Sequence, residues 1–402
     1  MRSVDPPRDR SVYQTDAACK ESADSCQDLA GGRTRTWLSC SAALSALITG
    51  HLLLTAAASL VWAEESSGLC REERVQRRAN QALVRHLGKA CTDKEREARS
   101  VRAAEIMEAL TQGRGVDLSG VIVTGDLHLE NLPTKALDKV LPALGPDDRQ
   151  AIERLGRQAV RLVSGTFSIR DSEVRGRIMN RTEDATLVIA GPVILSGTRF
   201  QETVDLSRAV FLGIVDCSAA SFSQESYFVQ GRFQQPVLFT QTVFGPHTRF
   251  HRSVFAGAAN FYHARFNGLA ELLEVSFEQG ASFSGAQFLS GTGFSGSRFN
   301  GIGDFLEAQF QGDVYFLFAR FEDEARFRGT AFRAIADFSD AVFAGGQDLG
   351  QALFSKPPQL PPSIRGEALV PPAPPTWMAQ YGLTIAFLLL SLLLLGVLFK
   401  IK

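Results

Sequence analysis

An apolar residue recurs at every eleventh position over almost half of this 402-residue chain. The series runs from Phe167 to Phe354, and a second apolar series, from Leu195 to Leu349, falls six residues after its members. Helices repeat every 3.6 residues and half-buried strands alternate every two, so neither produces steps that alternate between five and six residues. A fixed period of this kind indicates a solenoid, in which each coil buries the apolar surface of the next.

The first series consists mostly of phenylalanine, and we predict that these side chains form the inward-facing structural core. Small residues precede many of them by two positions, as at Ala209, Ala264 and Ala308. Residues two apart on an extended segment point the same way, so a large and a small side chain share the interior. Four faces of five, six, five and six residues give a coil of about 22 residues. The core positions are Phe200, Phe211, Phe222, Phe233, Phe244, Phe255, Phe266, Phe277, Phe288, Phe299, Phe310, Phe321, Phe332, Phe343 and Phe354.

Units such as FSGAQF, FSGSRF, FLEAQF, FRGTAF and FSDAVF resemble the Phe-centred variety of the pentapeptide-repeat family, densely over residues 193–354. The pieces VDLSGVIVTGDLHLENL (116–132) and FSIRDSEVRGRI (167–178) resemble the irregular first coils that precede such repeats. The resemblance implies an all-β solenoid, folded as a right-handed four-sided (quadrilateral) β-helix. Its handedness comes from the resemblance alone.

Composition shifts along the chain predict further segments around the repeats. They are a polar leader with a signal peptide or signal anchor (1–63), a helical N-terminal region (64–115), the β-helix (116–355) with a helical insertion at about 134–160, a Pro-rich linker (356–376), a transmembrane helix (377–400) and a cytoplasmic tail (401–402).

The two hydrophobic segments predict where the repeats lie. The apolar run at 37–63 follows Arg33 and Arg35 and ends in small residues that a signal peptidase reads, so it is either a cleaved signal or an uncleaved anchor. The stretch 381–399 approaches the ~20 apolar residues that cross a bilayer as a helix. Lys400 and Lys402 place the tail in the cytoplasm. We therefore expect a single-pass protein of a bacterial cytoplasmic membrane with its repeats on the periplasmic side.

Residues 69–112 carry apolar side chains at helical spacing, which predicts one or two amphipathic helices. The positions are Leu83, Val84 and Leu87, then Ile106, Met107 and Leu110. Cys70 and Cys91 flank the first group, and a continuous helix would hold them roughly 30 Å apart. Only a bent helical hairpin would allow a disulfide there, and the sequence leaves open whether one forms.

No pattern in the sequence predicts catalysis, a metal or a cofactor. His247, His251 and His263 form the only histidine cluster of the repeats, and a four-residue spacing gives a shared ligand face on a helix but not on this coil. Carboxylates at the corners, among them Asp216 and Asp304, suggest a solvated wall. Three tyrosines lie outside the inward series: Tyr227, Tyr262 and Tyr315. They either form a binding stripe on one wall or pack on the outer faces of the strands without a binding role.

These features favour a membrane-tethered extracytoplasmic scaffold, or a protein- or polymer-binding surface, that is not an enzyme. Its expected partner is an unknown protein or envelope polymer. The C-terminal helix attaches the protein to the membrane, and the sequence is compatible with oligomers. No nucleic acid is expected, because the formal net charge is −1. The alternatives are a cytoplasmic-facing, DNA-mimicking topoisomerase regulator, as some pentapeptide-repeat proteins are, and a β-helix enzyme that processes polysaccharides.

Overall fold

The computed structural model describes residues 70–72, 82–141, 145–153, 158–181 and 184–364. Over these residues the chain coils through four β-sheets in turn, which form four walls around one apolar core. The predicted all-β solenoid is confirmed. The leader and signal segment (1–63) and the transmembrane segment (377–400) lie outside the described residues. No helix of the described part has the length and apolar character needed to cross a membrane.

We number the walls in the order in which each regular coil visits them. Wall 1 contains the strands Leu83–His86, Val116–Ser119, Phe167–Arg170, Val193–Ile194, Val215–Asp216, Val237–Leu238, Ala259–Asn260, Ala281–Ser282, Gly303–Asp304 and Ala325–Arg326. Wall 2 contains Val101–Arg102, Ile122–Thr124, Glu173–Val174, Arg199–Phe200, Ser221–Phe222, Val243–Phe244, Arg265–Phe266, Gln287–Phe288, Gln309–Phe310, Ala331–Phe332 and Leu353–Phe354. Wall 3 contains Leu127–His128, Ile178–Met179, Val204–Asp205, Ser226–Tyr227, His247–Arg249, Leu269–Glu271, Thr292–Gly293, Val314–Tyr315 and Ala336–Asp337. Wall 4 contains Thr134–Ala136, Ala159–Val163, Thr186–Ile189, Val210–Phe211, Arg232–Phe233, Val254–Phe255, Ser276–Phe277, Arg298–Phe299, Arg320–Phe321 and Val342–Phe343.

Successive coils repeat every 22 residues from Ile189 onward, as the period predicts. Ile189 lies beside Phe211 in wall 4, and Phe288 lies beside Phe310 in wall 2, in parallel register. The rings of Phe288 and Phe310 stack with centroids 4.6 Å apart and planes 6° from parallel. This distance matches the spacing of about 4.8 Å between β-strands, so identical residues on successive coils meet at contact distance.

Fourteen of the fifteen core phenylalanines are buried, and Phe343 is half-buried. The fifteen occupy walls 2 and 4, while the second series follows the strands of walls 1 and 3. Phe343 lies in the last strand of wall 4, where the sheet ends among the described residues. Burial of each ring contributes about 1.5–3 kcal/mol before entropy is subtracted.

The prediction of an unbroken period from Phe167 is wrong upstream of Ile189. Phe167 pairs with Val193 and Ile178 pairs with Val204, so these neighbours lie 26 residues apart instead of 22. The additional residues fall between the strands Ile178–Met179 and Thr186–Ile189. Val174 therefore stands beside Phe200 in wall 2. Each side of the coil has two positions, two residues apart, whose side chains face inward. Upstream of Ile189 the eleven-residue series falls on the other of these two positions. That position is also apolar, so the series continues by coincidence.

The N-terminal region contains both strands and helices. Leu83 and Val84 belong to a wall 1 strand, and Leu87 forms an antiparallel bridge with Glu72, so the predicted helix is wrong here. The first coil offers unpaired backbone groups at its edge, and pairing with them overrides the helical pattern. Helix α1 spans Asp93–Ala98 and helix α2 spans Ala103–Thr111. Ile106 and Leu110 of α2 are buried and Met107 packs against the core, so the helix predicted there is confirmed.

Cys70 and Cys91 form a disulfide, with their Cα atoms 4.3 Å apart. Extended chain brings them together instead of the expected helical hairpin. The amide of Gly88 donates to the carbonyl of Arg71 at 3.1 Å, beside the Glu72–Leu87 bridge. Cys91 is buried in the main core. The bond therefore fastens the chain at Cys70 to the first coil of wall 1.

The helical insertion forms a second, smaller core on the outer side of wall 4. Helix α3 spans Leu137–Val140 and helix α4 spans Pro146–Glu153, between the antiparallel strands Thr134–Ala136 and Ala159–Val163. This second core consists of Val140, Ile152, Val160, Val188, Val210 and Leu212. The outward residues of wall 4 are apolar where the insertion covers them. Farther along, Arg232 and Arg298 take the same outward positions.

The first part of the predicted Pro-rich linker lies against the last coil. Gln359 forms a parallel bridge with Asp337 in wall 3, and Ile364 is buried. Prolines at 357, 358, 361 and 362 have no amide hydrogen to donate. A segment with so few donors ends the sheets and resists pairing with a further strand.

Every eleventh residue from Gly197 to Asp340 has a left-handed backbone, with φ between 52° and 71°. These residues form the corners that follow walls 1 and 3. Most are not glycine, so the fold holds side chains in a conformation that an L-residue adopts at a cost of about 1–2 kcal/mol. Phe318, with φ of 57°, is the one phenylalanine of this corner series and is 68% exposed.

We expect Phe318→Gly to raise the free energy of unfolding by about 1 kcal/mol, because glycine adopts this φ without strain. Phe318→Ala is the matched variant, since it removes the same exposed ring but keeps the strained backbone. Urea unfolding of the three proteins measures the difference. Equal stability of the glycine and alanine variants would contradict a backbone origin.

Candidate binding surface

Wall 3 presents one row of outward residues, each 22 positions after the last. The row begins at Asp205, Tyr227, Arg249 and Glu271 and continues through Gly293, Tyr315 and Asp337. Two of the three tyrosines singled out in the sequence therefore share this wall. Tyr262 does not, because it follows the wall 1 strand Ala259–Asn260. A stripe of all three tyrosines does not form.

An ion-pair cluster joins neighbouring coils at the middle of wall 3. The carboxylate of Glu271 accepts from the guanidinium of Arg249 and lies 2.8 Å from Nε2 of His247. The rings of His247 and Tyr227 meet edge to face at 5.8 Å. At the adjoining corner, Arg252 Nε donates to Glu274 at 2.8 Å.

The three histidines do not converge on one point. His251 lies 4.0 Å from Glu274, while His263 lies at a corner after wall 1. Across the described ranges, no group of three or more His, Cys, Asp and Glu side chains is placed to hold a metal ion.

Glu271 carries a lowered pKa. Burial raises the pKa of this carboxyl, but the hydrogen bonds and positive charges of Arg249 and His247 outweigh that effect. A carboxyl whose folded pKa is depressed contributes stability above its unfolded pKa and loses it as the pH falls through the folded value. The unfolded value lies near 4.3, so the contribution is present at neutral pH and disappears in acid (about pH 4 and below).

We expect Glu271→Gln to lower the free energy of unfolding by up to about 1 kcal/mol at neutral pH, because solvent screens a partly exposed pair. The deficit should shrink between about pH 5 and pH 3, where the wild-type carboxylate takes up its proton. Urea midpoints at several pH values measure it, with Glu278→Gln, an exposed carboxylate after wall 4, as the control. A deficit independent of pH would show that the charge is not its cause.

The carboxylates at the corners accept hydrogen bonds from backbone amides, a structural role that the sequence did not predict. Asp216 Oδ1 accepts from the amide of Ser218 at 2.9 Å, and Asp304 Oδ1 accepts from that of Leu306 at 3.1 Å. Asp205 and Asp337 make the same contact two residues ahead. Such turns satisfy an amide that leaves the sheet at the corner. These aspartates therefore stabilise corners and do more than solvate a wall.

A groove of about 460 Å³ opens on the N-terminal half of wall 3. It is lined by Asn180, Arg181, Asp205, Ser207, Arg208, Tyr227, Val229 and Arg249. Arg181 Nε lies 3.6 Å from a carboxylate oxygen of Asp205, and burial raises the pKa of the Tyr227 hydroxyl, which stays protonated as a donor. The groove thus combines guanidinium groups, one carboxylate and an aromatic ring.

Asn180 has an unmet acceptor beside this groove. The side chain is 3% exposed, and its Nδ2 donates to the carbonyl of Ser207 at 2.8 Å. Its Oδ1 is buried and has no hydrogen-bond partner in the part of the chain that the structure describes. A buried acceptor without a partner costs free energy, so such atoms deserve a functional explanation.

The C-terminal half of wall 3 carries exposed apolar side chains, and its outward row ends at Asp337. Leu269 and Tyr315 are exposed, and Leu273 lies over Gly293, where an added Cβ would meet its Cδ2 at 2.7 Å. Phe318 follows at the next corner. Wall 3 therefore changes from a charged groove to a surface with exposed apolar side chains along its length.

Comparison with known proteins bears on the repeats. A family model described as "Pentapeptide repeats (9 copies)" matches residues 261–309 and 305–353. Residues 261–353 are pentapeptide repeats. The comparisons with curated proteins and with solved structures find no match. The pentapeptide repeats predicted from the Phe-centred units are thus confirmed over this stretch, which includes the C-terminal half of wall 3, whereas the groove lies before it.

The sequence predicted only part of this surface. Tyr227 was singled out as an exposed aromatic, and the 22-residue coil places Asp205 and Arg249 on either side of it. Asn180 and Arg181 precede the regular coils, so no periodic signal pointed to them. Only the three-dimensional path of the chain brings them beside Ser207 and Asp205.

Proposed function

We propose that the protein is a membrane-tethered extracytoplasmic scaffold that presents wall 3 to a protein or an envelope polymer and carries out no catalysis. The observation that carries the proposal is that most of the distinctive side chains have structural roles. Phenylalanine rings are buried in the core, and aspartates accept hydrogen bonds from backbone amides at the corners. What the coil offers to a partner is a long, rigid wall with a groove and an adjoining apolar surface.

The disulfide supports an extracytoplasmic location. Disulfides persist in the periplasm and outside cells, while the cytosol keeps most thiols reduced. The predicted signal segment at 1–63 and the membrane segment at 377–400 favour the same side of the membrane. On wall 3, glutamates such as Glu271 and Glu274 pair with arginines. Paired charges suit a duplex mimic poorly, since DNA carries a negative charge about every 1.7 Å.

Protease accessibility tests the location. Intact cells, spheroplasts with a sealed inner membrane and lysed spheroplasts are treated with protease, and the repeats are followed with an antibody. We expect digestion once the inner membrane is exposed. A cytoplasmic marker protein must stay protected in the same samples. Protection of the repeats until that membrane is lysed would overturn the proposal and favour the cytoplasmic topoisomerase regulator.

A further inference from the structure

Wall 2 differs from the other walls in its charged groups. From the strand Ser221–Phe222 to the strand Leu353–Phe354, no strand of this wall contains an acidic residue, and no acidic residue directly follows one. The other walls carry carboxylates at such positions: Asp304 on wall 1, Glu271 on wall 3 and Glu322 directly after a wall 4 strand. Each arginine on the outer face of wall 2 therefore adds positive charge that no carboxylate of the same face offsets.

Arg265 lies near the middle of this face and has neutral partners. Its Nε donates to Oδ1 of Asn267 at 2.9 Å, and its Nη1 donates to Oε1 of Gln287 on the next coil at 2.7 Å. Within the residues that the structure describes, Arg265 forms no ion pair. Arg249 on wall 3, by contrast, binds the carboxylate of Glu271. The charge of Arg265 is thus exposed and is not neutralised.

The same hydrogen bonds leave donors available to a partner. Asn267 and Gln287 accept with their amide oxygens, so their NH₂ groups remain to donate. The guanidinium of Arg265 has five N–H groups, of which these two contacts use only part. The centre of wall 2 therefore presents donors and positive charge together, which is the environment that an anion requires.

A second unneutralised charge lies farther along the face. Arg333 is exposed, and in the described part of the chain it too forms no ion pair. It lies three coils after Arg265, which separates the two by about 14 Å along the axis. Gln309 and Gln311 occupy the coil before Arg333 and are exposed. A partner that spans this face must carry negative charges at intervals, with neutral polar groups between them.

The outer face of wall 2 is unsuited to a peptide strand or to nucleic acid. The strand Gln287–Phe288 pairs with a neighbour on each side, so the middle of the wall has no free edge for the addition of a peptide strand. The outward positions from Ser221 to Ser355 hold no aromatic side chain on which bases could stack. A duplex carries a phosphate about every 1.7 Å, far more than two guanidinium groups can pair.

From this arrangement we propose that wall 2 binds an acidic polysaccharide, whose carboxylates meet Arg265 and Arg333 and whose hydroxyls bind the glutamine amides between them. A carboxylate matches the planar fork of a guanidinium. Amides both donate and accept, as sugar hydroxyls do. The inference goes beyond the proposed function, which concerns wall 3, because it assigns a second face of the coil and a ligand class.

Fluorescence anisotropy with the full chain in detergent tests the interaction. The probe is an end-labelled hyaluronan decasaccharide, in which carboxylate-bearing and neutral sugars alternate. The carboxyl-reduced decasaccharide is its neutral counterpart, and decathymidylate represents nucleic acid. We expect hyaluronan to bind roughly tenfold more tightly than the carboxyl-reduced probe, because only hyaluronan forms the ion pairs. Equal binding of the carboxyl-reduced probe, binding of decathymidylate as tight as that of hyaluronan, or no binding of hyaluronan would overturn the proposal.

Variants of the two arginines locate the binding. Arg265→Gln and Arg333→Gln should each weaken hyaluronan binding about fivefold, the upper range for an exposed ion pair. The two sites are well separated, so the losses should multiply to about 25-fold in the double variant. Arg298→Gln is the control, since it removes an exposed arginine from the opposite wall 4. Circular dichroism checks that the coil of each variant is intact. An equal loss in Arg298→Gln, or no loss in the double variant, would contradict binding at wall 2.

Discussion

Replacement of Phe288 by alanine is expected to lower the free energy of unfolding by about 3–5 kcal/mol. The ring is fully buried between those of Phe266 and Phe310, at 4.7 and 4.6 Å. It also touches Phe294 edge to face at 6.1 Å. Removal leaves a cavity that stacked coils cannot close, since the backbone spacing is fixed by the hydrogen bonds of the walls. Urea unfolding followed by circular dichroism measures the loss.

Two further variants distinguish loss of the stacked ring from a non-specific loss of stability at any position of the coil. Phe288→Leu should cost less than about 1.5 kcal/mol, since it keeps most of the apolar volume. Leu272 already occupies a buried inward position of wall 3 between Phe250 and Phe294. Leu289→Ala changes the next, outward-facing residue and should cost under about 1 kcal/mol. A loss at Leu289 as large as that at Phe288 would mean that the Phe stack is not what holds the coils together.

The walls of this fold were predictable because one physical rule repeats. Each coil must place a ring over the same ring of the coil before it, so Phe266, Phe288 and Phe310 recur at a spacing equal to one circuit of the chain. The period therefore predicted the coil length and the inward residues without any knowledge of the turns. Handedness stays a prediction from the family resemblance, because stacking distances are the same for either hand.

Places where the period is broken could not be predicted. The four additional residues before Thr186 shift Phe167 and Ile178 to other inward positions, and apolar side chains suit both arrangements equally. Leu83 and Val84 follow a helical pattern, yet pairing with Val116 and Asp117 makes them a strand. Long-range backbone pairing decided both cases, and local sequence carries little information about it.

The groove was unpredictable for the same reason. The groove residues on the regular coils are aligned by the 22-residue repeat: Asp205, Tyr227 and Arg249. Its other half depends on the path of the irregular coil that carries Asn180 and Arg181. A site formed where regular and irregular coils meet has residues in both, so a search for repeats alone finds only one side of it.

Reduction of the Cys70–Cys91 bond is expected to destabilise the first coil by about 2–4 kcal/mol, since the bond closes a loop of 21 residues. Solenoids unfold from their ends, so the loss should be local. Hydrogen exchange should speed up at Leu83–His86, whose strand pairs with Val116–Ser119, while amides near Phe288 stay protected. The comparison is made with and without dithiothreitol, on native protein and on Cys70→Ser/Cys91→Ser.

The double variant serves as the control, because dithiothreitol should not change its exchange further. Cys217 does not confuse the result: it is buried, and burial raises the pKa of its thiol, which stays protonated and unreactive. Exchange at Leu83–His86 that is unchanged by reduction would show that the strand pairing alone holds the first coil. Faster exchange at these residues would mean that the N-terminal end keeps its full stability only where the disulfide persists. That requirement agrees with a scaffold that works outside the cytoplasm.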